Sequence, residues 1–232
     1  MYKSIALGID DFKQIIEEDC LFIDKSLFIK EIIDDKSGVL LFPRPRRFGK
    51  TLNMSMLSYY FDITLDSKKL FKGLNISTCD KKYLSEMNKY PVIYLTLKDL
   101  KKNTYEEFIA NFKTIISDLY SKYDYILESD NIKDVDKEYF KRCYNGQEEL
   151  QLSIAISNLS KMLEKYYNSK VIVLLDEYDS PILNSYLNGY YDECINFMRE
   201  VFSSTFKNNL STSFTSSSVK PKLCENNVSV GL

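Results

Sequence analysis

A short apolar run that leads directly into a basic, glycine-containing loop constrains this chain more than any other feature. The residues from Val39 to Phe42 are all apolar, which is typical of a strand buried on both faces of a parallel sheet. The next nine residues, from Pro43 to Thr51, read PRPRRFGKT, and apolar side chains then recur at helical spacing. The segment therefore predicts a strand, a loop and a helix, in that order.

The end of this loop matches the last part of the Walker A pattern, G-x-x-x-x-G-K-[ST]. Gly49, Lys50 and Thr51 supply the glycine, the lysine and the hydroxyl, whereas Arg44 stands where the first glycine is expected. In such loops backbone N–H groups surround phosphates, the lysine binds the β and γ oxygens, and the hydroxyl binds Mg²⁺. An ordinary strand-to-helix turn with a basic surface is the alternative interpretation. The predicted nucleotide-binding residues are Arg46, Arg47, Phe48, Gly49, Lys50, Thr51 and Leu52.

A second apolar run ends in two carboxylates. Residues 171–175 read VIVLL, and Asp176 and Glu177 follow them directly. This order is the Walker B arrangement, in which the aspartate reaches Mg²⁺ and the glutamate orients an attacking water. A pair of solvated loop charges is the alternative interpretation. Because the carboxyl ends of parallel strands meet at one edge of a sheet, the two motifs together predict a single site.

The order of apolar segments predicts an α/β fold. Another strand is predicted from Val92 to Leu97, and long helices are predicted to begin near Thr104, Leu152 and Tyr190. Asp11, with Gln14 three residues later, resembles a capping box that begins a short helix. Strands separated by long helices need crossover connections, so the sheet should be mostly parallel and covered on both faces.

Composition excludes several classes of function. The 232 residues include no histidine, which rules out triads that use imidazole as a base and removes the commonest nitrogen ligand of zinc. Lys and Arg number 31 against 33 Asp and Glu, so there is no overall basic field for nucleic acid. The five cysteines form no C-x-x-C pair and are predicted to be reduced. Since no apolar run resembles a signal segment or a membrane span, a cytoplasmic location without membrane association is expected.

Five motifs together resemble the AAA-ATPase-like domain family of bacteria and some anaerobic or parasitic eukaryotes. They are GIDDF at 8–12, FIDK at 22–25, RPRRFGKT at 44–51, PVI at 91–93 and DEYD at 176–179 with Pro181. The resemblance covers about residues 5–207 and implies that Arg44 is a family trait. It also implies a P-loop NTPase-like three-layer fold that uses ATP, with a sensor strand after Walker B. Relatives often carry a restriction-nuclease-like domain, through which nucleic acid could be a partner.

The sequence pattern changes after Lys207. Residues 208–232 are rich in Ser and Thr and lack helical periodicity, so they are predicted to be a disordered tail behind a P-loop domain at 1–207. On this interpretation the sheet is incomplete at its C-terminal end, because the sensor strand, a lid arginine and the nuclease-like domain are missing. Residues 210–215 are at most a weak substitute strand.

The first functional hypothesis is an Mg²⁺-dependent ATPase. Lys50 would bind the β and γ phosphates, Thr51 and Asp176 would hold Mg²⁺, and Glu177 would activate water. Arg46 or Arg47 would stabilise charge on the γ phosphate.

Two further hypotheses stay open at this point. A nucleotide-binding module without turnover would retain the phosphate loop but fail to position water. A nucleic-acid adaptor would use Arg44, Arg46 and Arg47 together. No oligomeric state is predicted.

Overall fold

A four-stranded parallel sheet forms the centre of the protein. The computed structural model describes residues 4, 8–43, 48–147, 151–207 and 213–217. The strands are β1 (Val39–Pro43), β2 (Val92–Thr96), β3 (Ile172–Asp176) and β4 (Ser213–Ser217). They lie in the order β1-β4-β3-β2, and each neighbouring pair is parallel. The sheet agrees with the predicted α/β class and its mostly parallel pairing.

Helices connect the strands, as the crossover connections of a parallel sheet require. Those in the described residues are α1 (Phe12–Glu17), α2 (Leu27–Asp34), α3 (Lys50–Phe61), α4 (Lys68–Phe71), α5 (Lys81–Leu84), α6 (Tyr105–Ser121), α7 (Asp134–Tyr144), α8 (Ala155–Tyr167), α9 (Asp179–Asn188) and α10 (Tyr191–Phe202). Single 3₁₀ turns lie at Asn75–Thr78, Asp124–Glu128 and Leu152–Ile154, and a π-helical turn follows α10 at Ser203–Lys207.

Side chains of β1, β2 and β3 alternate between two apolar cores, one on each face of the sheet. On β3, Val173 and Leu175 pack into the core built with α6, α7, α8 and α10. Ile172 and Leu174 pack into the core built with α1, α2 and α3. Because both faces of β3 are covered, every residue of this strand is buried, which explains its continuous apolar sequence.

Two side chains cap helices at the positions predicted from the sequence. Asp11 accepts a hydrogen bond from the Gln14 N–H at 2.9 Å at the start of α1, and Thr104 accepts from the Glu107 N–H at 3.3 Å at the start of α6. The return bond of a full capping box is not made by Gln14, whose side chain donates to Glu18 instead. The helix starts are therefore confirmed.

Strand β4 overturns the expectation that the sheet lacks a strand after Lys207. It runs parallel to both β1 and β3 and lies between them, with Thr215 in register with Leu41 on one side and Leu175 on the other. A strand in this position pairs backbone groups that would otherwise be exposed along two neighbouring strands. β4 lies within the segment predicted to be a disordered tail, and the other residues of that segment lie outside the described ones.

The described cysteines agree with the expectation of reduced thiols. Cys20, Cys79, Cys143 and Cys194 are free thiols. Burial raises the pKa of Cys143 and of Cys194, so neither thiol is activated. Across the residues given above, no helix is long and apolar enough to cross a membrane.

Candidate functional site

The loop between β1 and α3 carries the first half of the candidate site. β1 ends at Pro43 and α3 begins at Lys50, so the loop leaves the carboxyl end of a parallel strand and enters a helix N-terminus. This is the strand, loop and helix order that the sequence predicts. Arg46 and Arg47 lie outside the described residues, and their roles remain predictions.

Gly49 is the residue at which the chain turns into α3. Its φ of 70° and ψ of 32° lie in the left-handed region, which glycine adopts at little steric cost. As the N-cap it has no side chain that could accept from the first N–H groups of the helix. Those donors and the positive end of the helix dipole are therefore available to an anion.

The first turn of α3 contains the residues predicted to bind phosphate and metal. Lys50 and Thr51 are partly exposed, while Leu52 packs against the core beneath α3. The leucine anchors the turn, and the lysine and threonine retain access to solvent at the loop. The exposed ring of Phe48 lies just before this turn, with 59% of its surface accessible.

The end of β3 carries the second half of the candidate site. Asp176 is the last residue of the strand and is only 1% exposed. Strand alternation directs its side chain to the same face as Ile172 and Leu174, which is the face that α3 covers. α3 also contacts β3 directly. The two motifs therefore share the carboxyl edge and one face of the sheet, with β4 between their strands.

The electrostatic surroundings of Tyr94 support this placement. Tyr94 lies on β2 and packs against the same core as α3. Burial raises the pKa of Tyr94 well above its usual value, and the negative charges of Asp176, Asp10, Asp11 and Glu177 raise it further. The carboxylates of the GIDDF segment and of the Walker B segment are thus close enough to act on one side chain.

Glu177 is held in an unusual backbone conformation. Its φ of 52° is rare for residues other than glycine and costs on the order of 1–3 kcal/mol. The Glu177 N–H donates to Asp176 Oδ1 at 2.9 Å, and its carbonyl accepts from the Ser180 N–H at 3.1 Å. Its Oε2 atom accepts from Ser180 Oγ, also at 3.1 Å. Both the backbone and the carboxylate of this residue are therefore fixed by neighbours.

Helix α9, which supplies Ser180, was not predicted from the sequence. Proline favours a loop in most contexts, but Pro181 lies in the first turn of α9, where its missing N–H costs no helical bond. Gly189 ends the helix with a φ of 80°. A proline followed eight residues later by a glycine was the signal that could have identified this helix.

Asp11 joins α1 to the helix that follows the phosphate loop. Its Oδ2 atom accepts hydrogen bonds from Ser55 Oγ at 3.1 Å and from the Tyr59 hydroxyl at 3.2 Å, both on α3. Ser55 Oγ in turn accepts from the Phe12 N–H at 3.0 Å. Burial and the charge of Asp11 raise the pKa of Tyr59 to about 12, so this hydroxyl remains a donor at neutral pH. The sequence predicted only the capping role of Asp11.

Replacing Asp11 by alanine is expected to lower the free energy of unfolding by about 2–4 kcal/mol, because the change removes a helix cap and leaves two hydroxyl donors without their acceptor. Urea unfolding followed by circular dichroism would measure the loss. Asp35→Ala is a matched control, since this exposed carboxylate accepts from Ser37 N–H in a local turn and its loss should cost about 0.5 kcal/mol. Equal losses in both variants would contradict a bridging role for Asp11.

The FIDK segment organises a neighbouring loop. The carboxylate of Asp24 accepts from the N–H groups of Ser26 at 2.8 Å and Asn75 at 2.7 Å. Burial raises the pKa of Asp24, but these hydrogen bonds outweigh burial and its pKa lies below the usual value. Ser26 Oγ accepts from the Ile76 N–H at 3.0 Å. The segment therefore ties the start of α2 to the Asn75–Thr78 turn, which is a structural role.

The oxygen groups of Asp176 and Thr51 are compatible with a magnesium ion that also binds water and phosphate. Across the described ranges no three His, Cys, Asp or Glu side chains are grouped to hold a metal. Mg²⁺ usually binds one or two carboxylates and completes its coordination with water and substrate phosphates. Asp176 has a buried carboxylate and Thr51 has a hydroxyl, and both are oxygen groups of the type that Mg²⁺ prefers.

A match to a known protein family identifies the family of this chain. A family described as "Predicted AAA-ATPase" matches residues 6–217. The chain belongs to this AAA-ATPase-like family. The match confirms the resemblance drawn from the sequence motifs. It also extends through β4, beyond the boundary expected at Lys207.

A relative and the solved structures add little beyond family membership. An "Uncharacterized protein in vnfD 5'region" from Azotobacter chroococcum mcd 1 is 35% identical over 75 residues. The matched segment covers 32% of this AAA-ATPase-like chain and 14% of the relative's length. No solved structure matches this chain significantly.

Proposed function

We propose that this member of the AAA-ATPase-like family binds ATP with Mg²⁺ and hydrolyses it in a P-loop NTPase-like fold. The observation that carries the proposal is the shared position of two motifs. The Gly49-Lys50-Thr51 turn and the Asp176-Glu177 pair lie at the carboxyl edge of one parallel sheet, and strand alternation directs the Asp176 side chain to the face that α3 covers. Ligands of open α/β sheets bind at this edge.

In the proposed site the start of α3 binds the triphosphate. Lys50 would contact the β and γ oxygens, and the N–H groups of the first turn would donate to phosphate oxygens. Arg46 and Arg47 are proposed to add positive charge around the γ phosphate. Thr51 and Asp176 would hold Mg²⁺, which neutralises phosphate charge when it is bound.

Glu177 is the proposed general base for hydrolysis. A carboxylate within hydrogen-bond reach of a water can orient it and accept its proton as it attacks the γ phosphate. Glu177 directly follows the proposed metal ligand, and its carboxylate is fixed by Ser180. No imidazole base is needed in this chemistry, which is compatible with a chain that contains no histidine.

ATP hydrolysis is favoured over the two alternatives. Binding without turnover was considered because a strand between β1 and β3 was expected to be missing, and β4 fills that position. The adaptor hypothesis depends on Arg44, Arg46 and Arg47, and a chain with a net charge of -2 provides no overall basic field around them to hold nucleic acid. Nucleic acid therefore remains a proposed partner only for the nuclease-like domain found in relatives.

Mg-ATP is expected to stabilise the protein against heat. At an ATP concentration about 100 times the dissociation constant, binding adds about 2.7 kcal/mol, which corresponds to a rise in melting temperature of about 5–10 °C for a chain of this size. Differential scanning fluorimetry would measure the shift, and limited proteolysis with and without Mg-ATP would check it independently.

AMP is the matched control ligand, because it keeps the base and sugar but lacks the β and γ phosphates that Lys50 would bind. AMP should give a shift below about 1 °C, and EDTA should reduce the effect of ATP. Equal shifts with AMP and ATP, or no shift at millimolar Mg-ATP, would contradict the proposed site. Release of inorganic phosphate from ATP by the parent protein then tests turnover.

A further inference from the structure

A residue outside the two sequence motifs donates a hydrogen bond to the carboxylate of the proposed base. The Ser180 hydroxyl donates to Glu177 Oε2 at 3.1 Å, and the Ser180 N–H donates to the Glu177 carbonyl at the same distance. Ser180 thus contacts both the backbone carbonyl and the side-chain carboxylate of Glu177, three residues earlier in the chain. The glutamate itself has a positive φ of 52°, so its side chain leaves the backbone in a direction that an ordinary strand or helix would not give.

Ser180 is itself on a rigid element. It is the second residue of α9 and lies between two buried residues, Tyr178 and Pro181. Tyr178 is buried and meets the ring of Phe202 edge-on at 5.5 Å, and Pro181, in the first turn of α9, is also buried. The hydroxyl therefore acts from a fixed position and does not move with a flexible loop.

We propose that Ser180 is a positioning residue that sets the direction of the Glu177 carboxylate in ATP hydrolysis. This inference rests on the proposed function. The serine occupies one carboxylate oxygen, Oε2, and thereby leaves Oε1 as the oxygen that accepts from the attacking water. Ser180 does not itself contact the nucleotide. Because a misplacement of about 1 Å can cost on the order of 100-fold in rate, an unrestrained carboxylate should be a much poorer base.

The test separates the rate of hydrolysis from ATP affinity. Ser180→Ala is expected to reduce kcat by about 10- to 100-fold, while KM and the dissociation constant for ATP change less than about two-fold. Ser180→Thr keeps the hydroxyl and is expected to recover most of the lost kcat. Ser185→Ala is the matched control, because Ser185 lies on the same helix and donates to the Ile182 carbonyl; its kcat should match the parent's.

A double variant tests whether Ser180 acts through Glu177. In a Glu177→Gln background, adding Ser180→Ala is expected to change the single-turnover rate by less than about two-fold, because the carboxylate that Ser180 directs is already gone. A further large loss in that background would overturn the inference. So would a Ser180→Ala variant with the parent's kcat or a higher one, or one whose lost activity Ser180→Thr does not restore.

The outcomes distinguish this inference from the proposed function. If the parent hydrolyses ATP and Glu177→Gln does not, but Ser180→Ala is as active as the parent, only the role of Ser180 is wrong. If the parent releases no phosphate from ATP, the proposed function fails and the role of Ser180 fails with it. Melting temperatures of all variants show whether each is folded at the assay temperature.

Discussion

Replacing Lys50 by alanine is expected to abolish ATP binding, with a loss in affinity of about 100-fold or more. An ammonium that contacts two phosphate oxygens makes charge-assisted hydrogen bonds worth about 1.5–3 kcal/mol each, and 1.4 kcal/mol corresponds to a ten-fold change in the dissociation constant. Lys50 is the first residue of α3, directly after the Gly49 turn. Isothermal titration calorimetry with Mg-ATP would measure the change.

A surface lysine provides the control for the Lys50 variant. Lys122 follows the last turn of α6 and is exposed. Lys122→Ala removes the same charge from a distant position and should bind ATP with the parent's affinity. If Lys50→Ala binds and hydrolyses ATP like the parent, the assignment of the phosphate loop is wrong.

Replacing Glu177 by glutamine is expected to lower kcat for ATP hydrolysis by about 100- to 1,000-fold and to change ATP affinity by less than about three-fold. The amide keeps the size of the side chain and can still accept the hydrogen bond from Ser180, but it cannot take a proton from water. General base catalysis contributes typically 10²–10⁴-fold, which sets this scale. Single-turnover phosphate release, with ATP binding measured in parallel, separates the two effects.

Glu164→Gln is the matched control for the loss of a carboxylate. Glu164 is exposed on α8, and its replacement should leave both kcat and affinity unchanged. A Glu177→Gln variant that releases phosphate at the parent's rate would show that another group activates water. A variant that loses affinity as strongly as rate would instead assign Glu177 to nucleotide binding.

The local part of the candidate site could be predicted because its signals lie close together in sequence. The apolar run before the loop and the Gly49-Lys50-Thr51 sequence predict a strand, a turn and a helix N-terminus, and these are present as β1, the turn and α3. The second run, closed by Asp176 and Glu177, predicts β3 in the same way. The period of apolar residues and the backbone freedom of glycine act within a few residues, so no knowledge of the fold is needed.

Helix α9 and strand β4 show where local signals fail. Pro181 favours a loop in most contexts, and its position in the first helical turn depends on where the preceding strand ends. The β4 segment reads SFTSS and has no apolar run that would predict a buried strand. Its place in the sheet comes from pairing with β1 and β3 on both sides, and neither partner is near it in sequence.

The sequence by itself determined the elements of this protein: the phosphate loop after β1, the acidic end of β3, and the helices with regular apolar spacing. Only the tertiary structure decided which elements are neighbours. It set the strand order β1-β4-β3-β2 and placed Asp176 on the face of the sheet that α3 covers. It also brought Asp11 into hydrogen-bond contact with Ser55 and Tyr59, which lie far from it in sequence. The physical reason is that periodicity and capping depend on adjacent residues, whereas strand pairing and packing depend on the burial of distant segments against each other.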